Sequence, residues 1–236
     1  MLSILFYYHR YYLRSYRYTA PLTVFLIAMF FLYGVVPNPV MDSYAASATL
    51  LFLIAAWLCY GFVDLEDDTQ QVITFLHSGK LALLYTAKLI YVWLFTVPLS
   101  VFAIVYPIIF DKFAYTPSLR QALTALGCHQ LAALLGITLA AWFNAKLFRT
   151  GLISFLSLCT VLAVALGGQG IINRTFPAMS WVIPPYPAIM YVLNDHPQAE
   201  LAAPPQGIWY LALYIIMLAV SYLWVMSRRK FDERLK

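Results

Sequence analysis

Few residues of this chain are of types that do chemistry, and those few are scattered. Cys59, Cys128 and Cys159 are odd in number, far apart and set in apolar runs, which makes them small core side chains rather than a disulfide framework or a metal-ligand set. With Lys88 and Arg120 read as flanking charges, His129, beside Cys128, is the titratable exception in the membrane interior, and a hydrogen bond between packed helices suits it better than a proton relay. The ten acidic residues, Asp42, Asp64, Glu66, Asp67, Asp68, Asp111, Asp195, Glu200, Asp232 and Glu233, all fall in loops or at segment ends. A proton- or sodium-coupled carrier needs ionisable groups at mid-membrane, so their placement argues against that class. HExxH for zinc and GxSxG for a serine nucleophile are missing. So is GxxxxGK[ST] for nucleotide phosphates, because Gly79-Lys80 lacks both the upstream glycine and the following hydroxyl. The chain is therefore expected not to be an enzyme and to bind no cofactor or metal of its own.

The elements that carry these residues follow from composition. Hydrophobic residues make up 63% of the 236 and charged residues 11%, against about 25% charged in a soluble domain. The apolar residues arrive in long runs, at about Thr19 to Val36, Tyr44 to Val63, Leu81 to Phe110, Leu119 to Phe143, Gly151 to Gly168 and Gly207 to Met226. Each is long enough to cross a hydrocarbon core of about 30 Å at about 1.5 Å per residue. The expected fold is an all-α integral membrane protein with six transmembrane helices, forming one transmembrane domain over 1–236. Ala46-Ser47-Ala48 resembles a signal-peptidase site, but Pro37, Pro39 and Asp42 separate it from the first run, so that run is expected to be retained.

Lysine and arginine set the orientation, since they are held on the cytoplasmic side of short loops. With the N-terminus inside, Arg10, Arg14, Arg17, Lys80, Lys88, Lys146, Arg149, Arg228, Arg229, Lys230, Arg234 and Lys236 are cytoplasmic, and Lys112, Arg120 and Arg174 are outside, twelve against three. An even number of spans puts both termini on the same side, and both are basic. The expected location is the cell membrane, a bacterial plasma membrane, multi-pass with both termini cytoplasmic.

Residues 1–18 repeat Arg10, Arg14 and Arg17 at helical spacing among Leu2, Leu5, Phe6 and Leu13, with six tyrosines from Tyr7 to Tyr18. This predicts an interfacial helix with its arginines toward lipid phosphates; charge that merely sets topology is the plainer alternative. The net charge of +5 is accounted for by these flanks, so no nucleic-acid partner is expected.

The connection over 64–80 is more structured than a linker. Asp67 and Asp68 stand three residues before Gln70 and Gln71, the spacing of an N-cap, and Gly79 supplies a stop. A helix from about Thr69 to His77 is predicted, with Val72, Phe75 and Leu76 forming an apolar stripe and Gln70, Gln71 and Thr74 elsewhere around it. That stripe could meet lipid headgroups or a protein groove, and the acidic run from Asp64 to Asp68 favours a protein. The connection over 169–206 is long, proline-rich and still apolar. Trp181, Val182 and Ile183 need cover, while Pro177, Pro184, Pro185 and Pro187 break any continuous span, which predicts short helices folded back into the membrane boundary.

An interfacial helix, two spans, an acidic-to-helical loop ending His77-Ser78-Gly79-Lys80 and four more spans together resemble the permease subunits of type-2 ABC exporters, especially small permeases of peptide or bacteriocin export and immunity systems. The resemblance covers almost the whole chain. It implies that Asp67, Asp68, Gln70, Gln71, Val72, Phe75, Leu76 and Gly79 form a coupling helix docking on an ABC-type ATPase subunit. ATP and Mg would then be bound by that partner, and a second permease copy or homologue would complete the pathway. Family members often carry glutamate and glycine further along this loop, where Asp67-Asp68-Thr69 and Ser78-Gly79 stand here. The resemblance further implies an external re-entrant segment between the fifth and sixth spans, with Trp181, Pro184, Pro185 and Tyr186 as an outer gate or a static cap. The alternatives are a non-transporting immunity or scaffold protein and, behind it, a gradient-driven carrier.

Overall fold

The computed structural model describes residues 1–175, 182–193 and 206–228, with the side chains of 68, 168–175 and 206 outside that description. The regular elements among them are helices: α1 (Leu2–Ser15), α2 (Thr19–Leu32), α3 (Val40–Val63), α4 (Asp68–Ser78), α5 (Leu81–Ile109), α6 (Leu119–Ala141), α7 (Gly151–Thr175), α8 (Pro187–Leu193) and α9 (Gln206–Arg228). By length and apolar composition α3, α5, α6 and residues Gly207–Arg228 of α9 can each cross a bilayer. The α1–α2 pair, bent by 79°, makes a fifth crossing if it is one span, and Gly151–Gly167 is a shorter apolar helix among the described residues. The chain is thus a helical membrane protein, as its composition requires.

Several bounds differ from the sequence expectation. The first run is helical only from Thr19 to Leu32, stopping before Gly34 and Pro37, while α3 starts four residues earlier than expected because Pro39 serves as its N-cap. A proline's fixed φ and missing N–H are tolerated at a helix start and nowhere deeper without a lost bond. The short helix of the 64–80 connection runs from Asp68 to Ser78, one residue longer at each end than expected.

The centre of the bundle is the seam between α3 and α6, with α5 packed against both. Small residues line it, Ala48, Ala55, Ala56 and Cys59 from α3 and Ala132, Ala133, Gly136 and Ala140 from α6, all buried. Helices that bury no large side chain between them can bring their backbones close, which is how membrane helices gain dispersion energy without a hydrophobic driving force. A Cβ on Gly136 would overlap the Phe52 carbonyl oxygen and lie 3.2 Å from the Ala56 nitrogen. The Cys59 thiol donates to the Ile137 carbonyl at 3.3 Å. His129 lies in this seam with Nε2 2.9 Å from Ser47 Oγ and Nδ1 2.7 Å from the Ala125 carbonyl. Both ring nitrogens are therefore occupied, the geometry of a helix-packing histidine.

The two ends of the bundle are closed differently. At one, the α2–α3 and α5–α6 connections pair through their backbones, Asn38 N–H to the Lys112 carbonyl at 3.0 Å and Ala114 N–H to the Asn38 carbonyl at 2.9 Å, while Tyr33 and Tyr44 pack edge-on to Phe113. At the other, α1 lies across α5, and α4 packs beside it. Residues 182–193 pack against α3 and α6: the Tyr186 ring meets Phe52 at a tilt, centroids 4.8 Å apart, and its hydroxyl is 2.6 Å from Thr49 Oγ1.

Candidate functional site at the Glu66 end

The densest polar chemistry among the described residues gathers around one buried ion pair. Glu66, in the short α3–α4 connection, and Lys88, in the second turn of α5, meet at 3.0 Å with side chains only 1% and 2% exposed. Such a pair survives burial only if its remaining lone pairs and protons are satisfied, because taking each ion out of water costs several kcal/mol. Here they are satisfied. Glu66 Oε1 accepts from the Tyr7 hydroxyl at 3.1 Å and Thr74 Oγ1 at 3.2 Å, and Oε2 accepts from Lys88 and, at 3.4 Å, from the Tyr8 hydroxyl. Lys88 Nζ also donates to the Val63 carbonyl at 2.9 Å, at the end of α3, and stands over the Tyr8 and Tyr85 rings at 5.9 and 5.8 Å. Burial, and after it the Glu66 charge, raises the pKa of both Tyr7 and Tyr8 above the usual phenol range, so both hydroxyls stay protonated donors. One carboxylate thereby ties α1, α4 and α5 together, and Lys88 adds the end of α3.

A second set of contacts adjoins the first. Gln71 Nε2 and Lys146 Nζ both donate to the Tyr85 hydroxyl, at 2.9 and 3.3 Å, and the Tyr85 ring meets Tyr222 of α9 edge-on. Asp64 accepts the Ala145 N–H at 2.6 Å, fastening the α3–α4 connection to the α6–α7 connection. Burial raises the Asp64 pKa, opposed by that hydrogen bond and by the positive charges of Lys88, Lys146 and Arg17.

Helix α4 is held against this cluster by local signals that the sequence already carries. The Asp67 carboxylate caps it by accepting the Gln70 N–H at 2.6 Å, and Gly79, at φ 71°, takes the left-handed conformation that ends it. Asp68 is its first residue. Its polar face turns inward: Gln70 donates to the Tyr7 hydroxyl at 3.0 Å, Gln71 to Tyr85 and Thr74 to Glu66. Its outer face carries Ile73, 45% exposed, and Leu76, 73% exposed, beside the exposed Thr69 and His77. Val72 and Phe75 are half-buried.

The predicted residues thus separate. Gln70 and Gln71 spend their amides on the body of the protein, and Leu76 projects from it. Ile73, absent from the predicted stripe, projects beside Leu76, one turn earlier. Arg10 and Arg14 are exposed on α1, while Arg17 donates to the Gly61 carbonyl at 3.3 Å and pins the α1–α2 corner to α3. Pro184, Pro185 and Tyr186 are buried, Tyr186 beside Thr49, about 20 Å along α3 from Val63 at about 1.5 Å per residue; Trp181 lies outside the described residues. Sequence reasoning missed Glu66, Lys88, Tyr7 and Tyr8 as one site. The available signal was Lys88, the single charge in the 29-residue α5, since a lone ionisable group two turns inside an apolar helix demands a partner.

Among the described residues no group of three or more His, Cys, Asp or Glu is placed to hold a metal ion. Comparison with protein-family models, curated proteins and solved structures found no match.

Proposed function

We propose that the chain is the membrane-spanning permease subunit of an ATP-driven exporter of the type-2 ABC class. In this reading it has six spans and cytoplasmic termini, pairs with a second permease copy or homologue, and moves an amphipathic or hydrophobic substrate such as a peptide. ATP and Mg are bound by separate ATPase subunits, which dock on α4. Residues 182–193 belong to a re-entrant segment on the outer side and serve as its gate.

The supporting observation is the reversed amphipathicity of α4. Its glutamines and threonine are spent on Tyr7, Tyr85 and Glu66, and Ile73 and Leu76 are left outward, 45% and 73% exposed among the described residues. A helix that only needed to rest on its own protein would bury those two side chains. With them on an ATPase, any displacement of α4 is carried through Glu66 into α1 and α5, the rigid-body route by which a distant site moves a pathway.

Replacing Ile73 and Leu76 together with alanine removes about 2–4 kcal/mol of apolar burial at such an interface, equivalent to one to three decades of affinity at about 1.4 kcal/mol per tenfold. The expected result is a well-inserted protein that no longer retains an ABC-type ATPase in detergent extracts. Equal ATPase recovery with the wild type removes α4 as the coupling element.

A further inference from the structure

The angle between α1 and α2 encloses an apolar groove of about 490 Å³, within the range of about 300–1,000 Å³ typical of small-molecule sites. Leu5 and Phe6 of α1, Leu22 of α2 and Leu94, Phe95 and Leu99 of α5 line it. Its polar lining is confined to His9 and Tyr91, whose Nδ1 and hydroxyl lie 3.4 Å apart. From Tyr91 to Leu99 the groove follows α5 for about 12 Å at about 1.5 Å per residue. Because α1 is set at 79° to α2, the groove starts beneath a helix lying across the bundle and runs along one that crosses the bilayer. A single alkyl chain can follow that course, in contact with apolar side chains along its length.

Charge selects the head group of such a chain. The first 41 residues carry three arginines and no carboxylate. Arg17 is engaged with Gly61, while Arg10 and Arg14 are exposed and continue, at i+4 spacing, the row of α1 that begins with the groove residue Phe6. We infer that an anionic phospholipid binds at this corner, one acyl chain in the groove and its phosphate against Arg10 and Arg14. Bound so, the lipid wedges the α1–α2 corner against α5 and completes the packing beside Pro98. The inference needs only that the chain spans a membrane and is independent of the exporter reading.

The test uses the purified full chain in nanodiscs with a phosphatidylglycerol whose acyl chain carries a photoactivatable diazirine. Labelling is expected to concentrate on residues 2–9 and 91–99, well above the exposed apolar face of α9 from Trp209 to Trp224, which reports ordinary lipid contact. Unlabelled phosphatidylglycerol should compete about twenty- to thirtyfold better than phosphatidylcholine, since each arginine is worth about 1 kcal/mol toward an anionic head group, or about fivefold. Replacing Arg10 and Arg14 together with glutamine should bring the two lipids to parity without moving the labelled residues. Leu94→Trp, at a position 46% exposed, fills the groove and should abolish its labelling; Leu5→Trp fills it from the opposite wall if the first variant is poorly inserted. Labelling spread evenly over the groove and α9, labelling that persists in both tryptophan variants, or equal competition by the two lipids on the wild type each overturns the inference.

Discussion

The α3–α6 seam and the Glu66–Lys88 cluster join helices by opposite means. The seam works by leaving side chains out. Ala132, Gly136 and Ala140 let two backbones touch, and nothing in the contact depends on a charge or on an outside partner. The cluster works by giving the Glu66 carboxylate and the Lys88 ammonium specific mates, so that the two hold α1, α4, α5 and the end of α3. Damage to the seam should therefore spread through the bundle. Damage to the cluster should free its outer parts, α1 and α4, while the spans stay packed. A region that can be released without unfolding the rest is also the region suited to transmit movement.

Breaking the ion pair tests this most severely. Lys88→Met leaves the Glu66 carboxylate buried without its cation, which costs about 3–5 kcal/mol. Thermal unfolding in detergent should show a large loss, and limited proteolysis should cut near α4 well before the spans are attacked. Adding Glu66→Gln to that variant removes the orphaned charge and should recover much of the loss, since an apolar or neutral replacement of a buried pair is often nearly neutral. Simultaneous cleavage of α4 and the spans in the single variant would merge the two regions into one cooperative unit.

Gly136→Ala probes the other side at a smaller cost. The added methyl meets the backbone of Phe52 and Ala56, which cannot rotate away as a side chain can. The helices must separate, at about 1–3 kcal/mol for overpacking. Gly127→Ala, on the same helix with nothing within 4 Å of the new Cβ, should instead stabilise by about 0.5–1 kcal/mol, because alanine loses less entropy in a helix. The melting temperatures of the two variants should move in opposite directions. A shared direction would mean that close backbone approach does not govern the seam.

What was legible in the sequence follows the same division. Apolar runs and caps are local, so the helices, the Asp67 cap and the Gly79 stop could be placed within a few residues. The inward face of α4 could not. In a soluble protein an apolar stripe marks the buried side, but here the body beneath α4 offers a carboxylate and tyrosine hydroxyls, so Gln70, Gln71 and Thr74 turned in. The Glu66–Lys88 pair joins residues 22 apart in the chain, and nothing in either neighbourhood names the other. Lys88 was read as a flanking charge because it lies within reach of a membrane surface. The Gly136 contact was equally hidden, since the sequence shows a small residue without the backbone it faces.

The smallest expected effect concerns Asp64, at the edge of the cluster. Burial raises its pKa despite the Ala145 N–H and the nearby Lys88, Lys146 and Arg17, whereas the unfolded chain titrates near the ordinary value of about 3.9. Between those two values the folded protein binds the extra proton, so stability must fall as pH rises through the window, opposite in sign to a carboxylate whose pKa is depressed on folding. Asp64→Asn keeps an oxygen for the Ala145 N–H and cannot ionise. The melting temperature of the wild type, measured from about pH 4 upward, should decline relative to this variant and then run parallel to it once Asp64 is ionised in both states. A wild type that gains on the asparagine variant as pH rises would show that Lys88, Lys146 and Arg17 outweigh burial, and would draw Asp64 into the same charge-compensated network as Glu66.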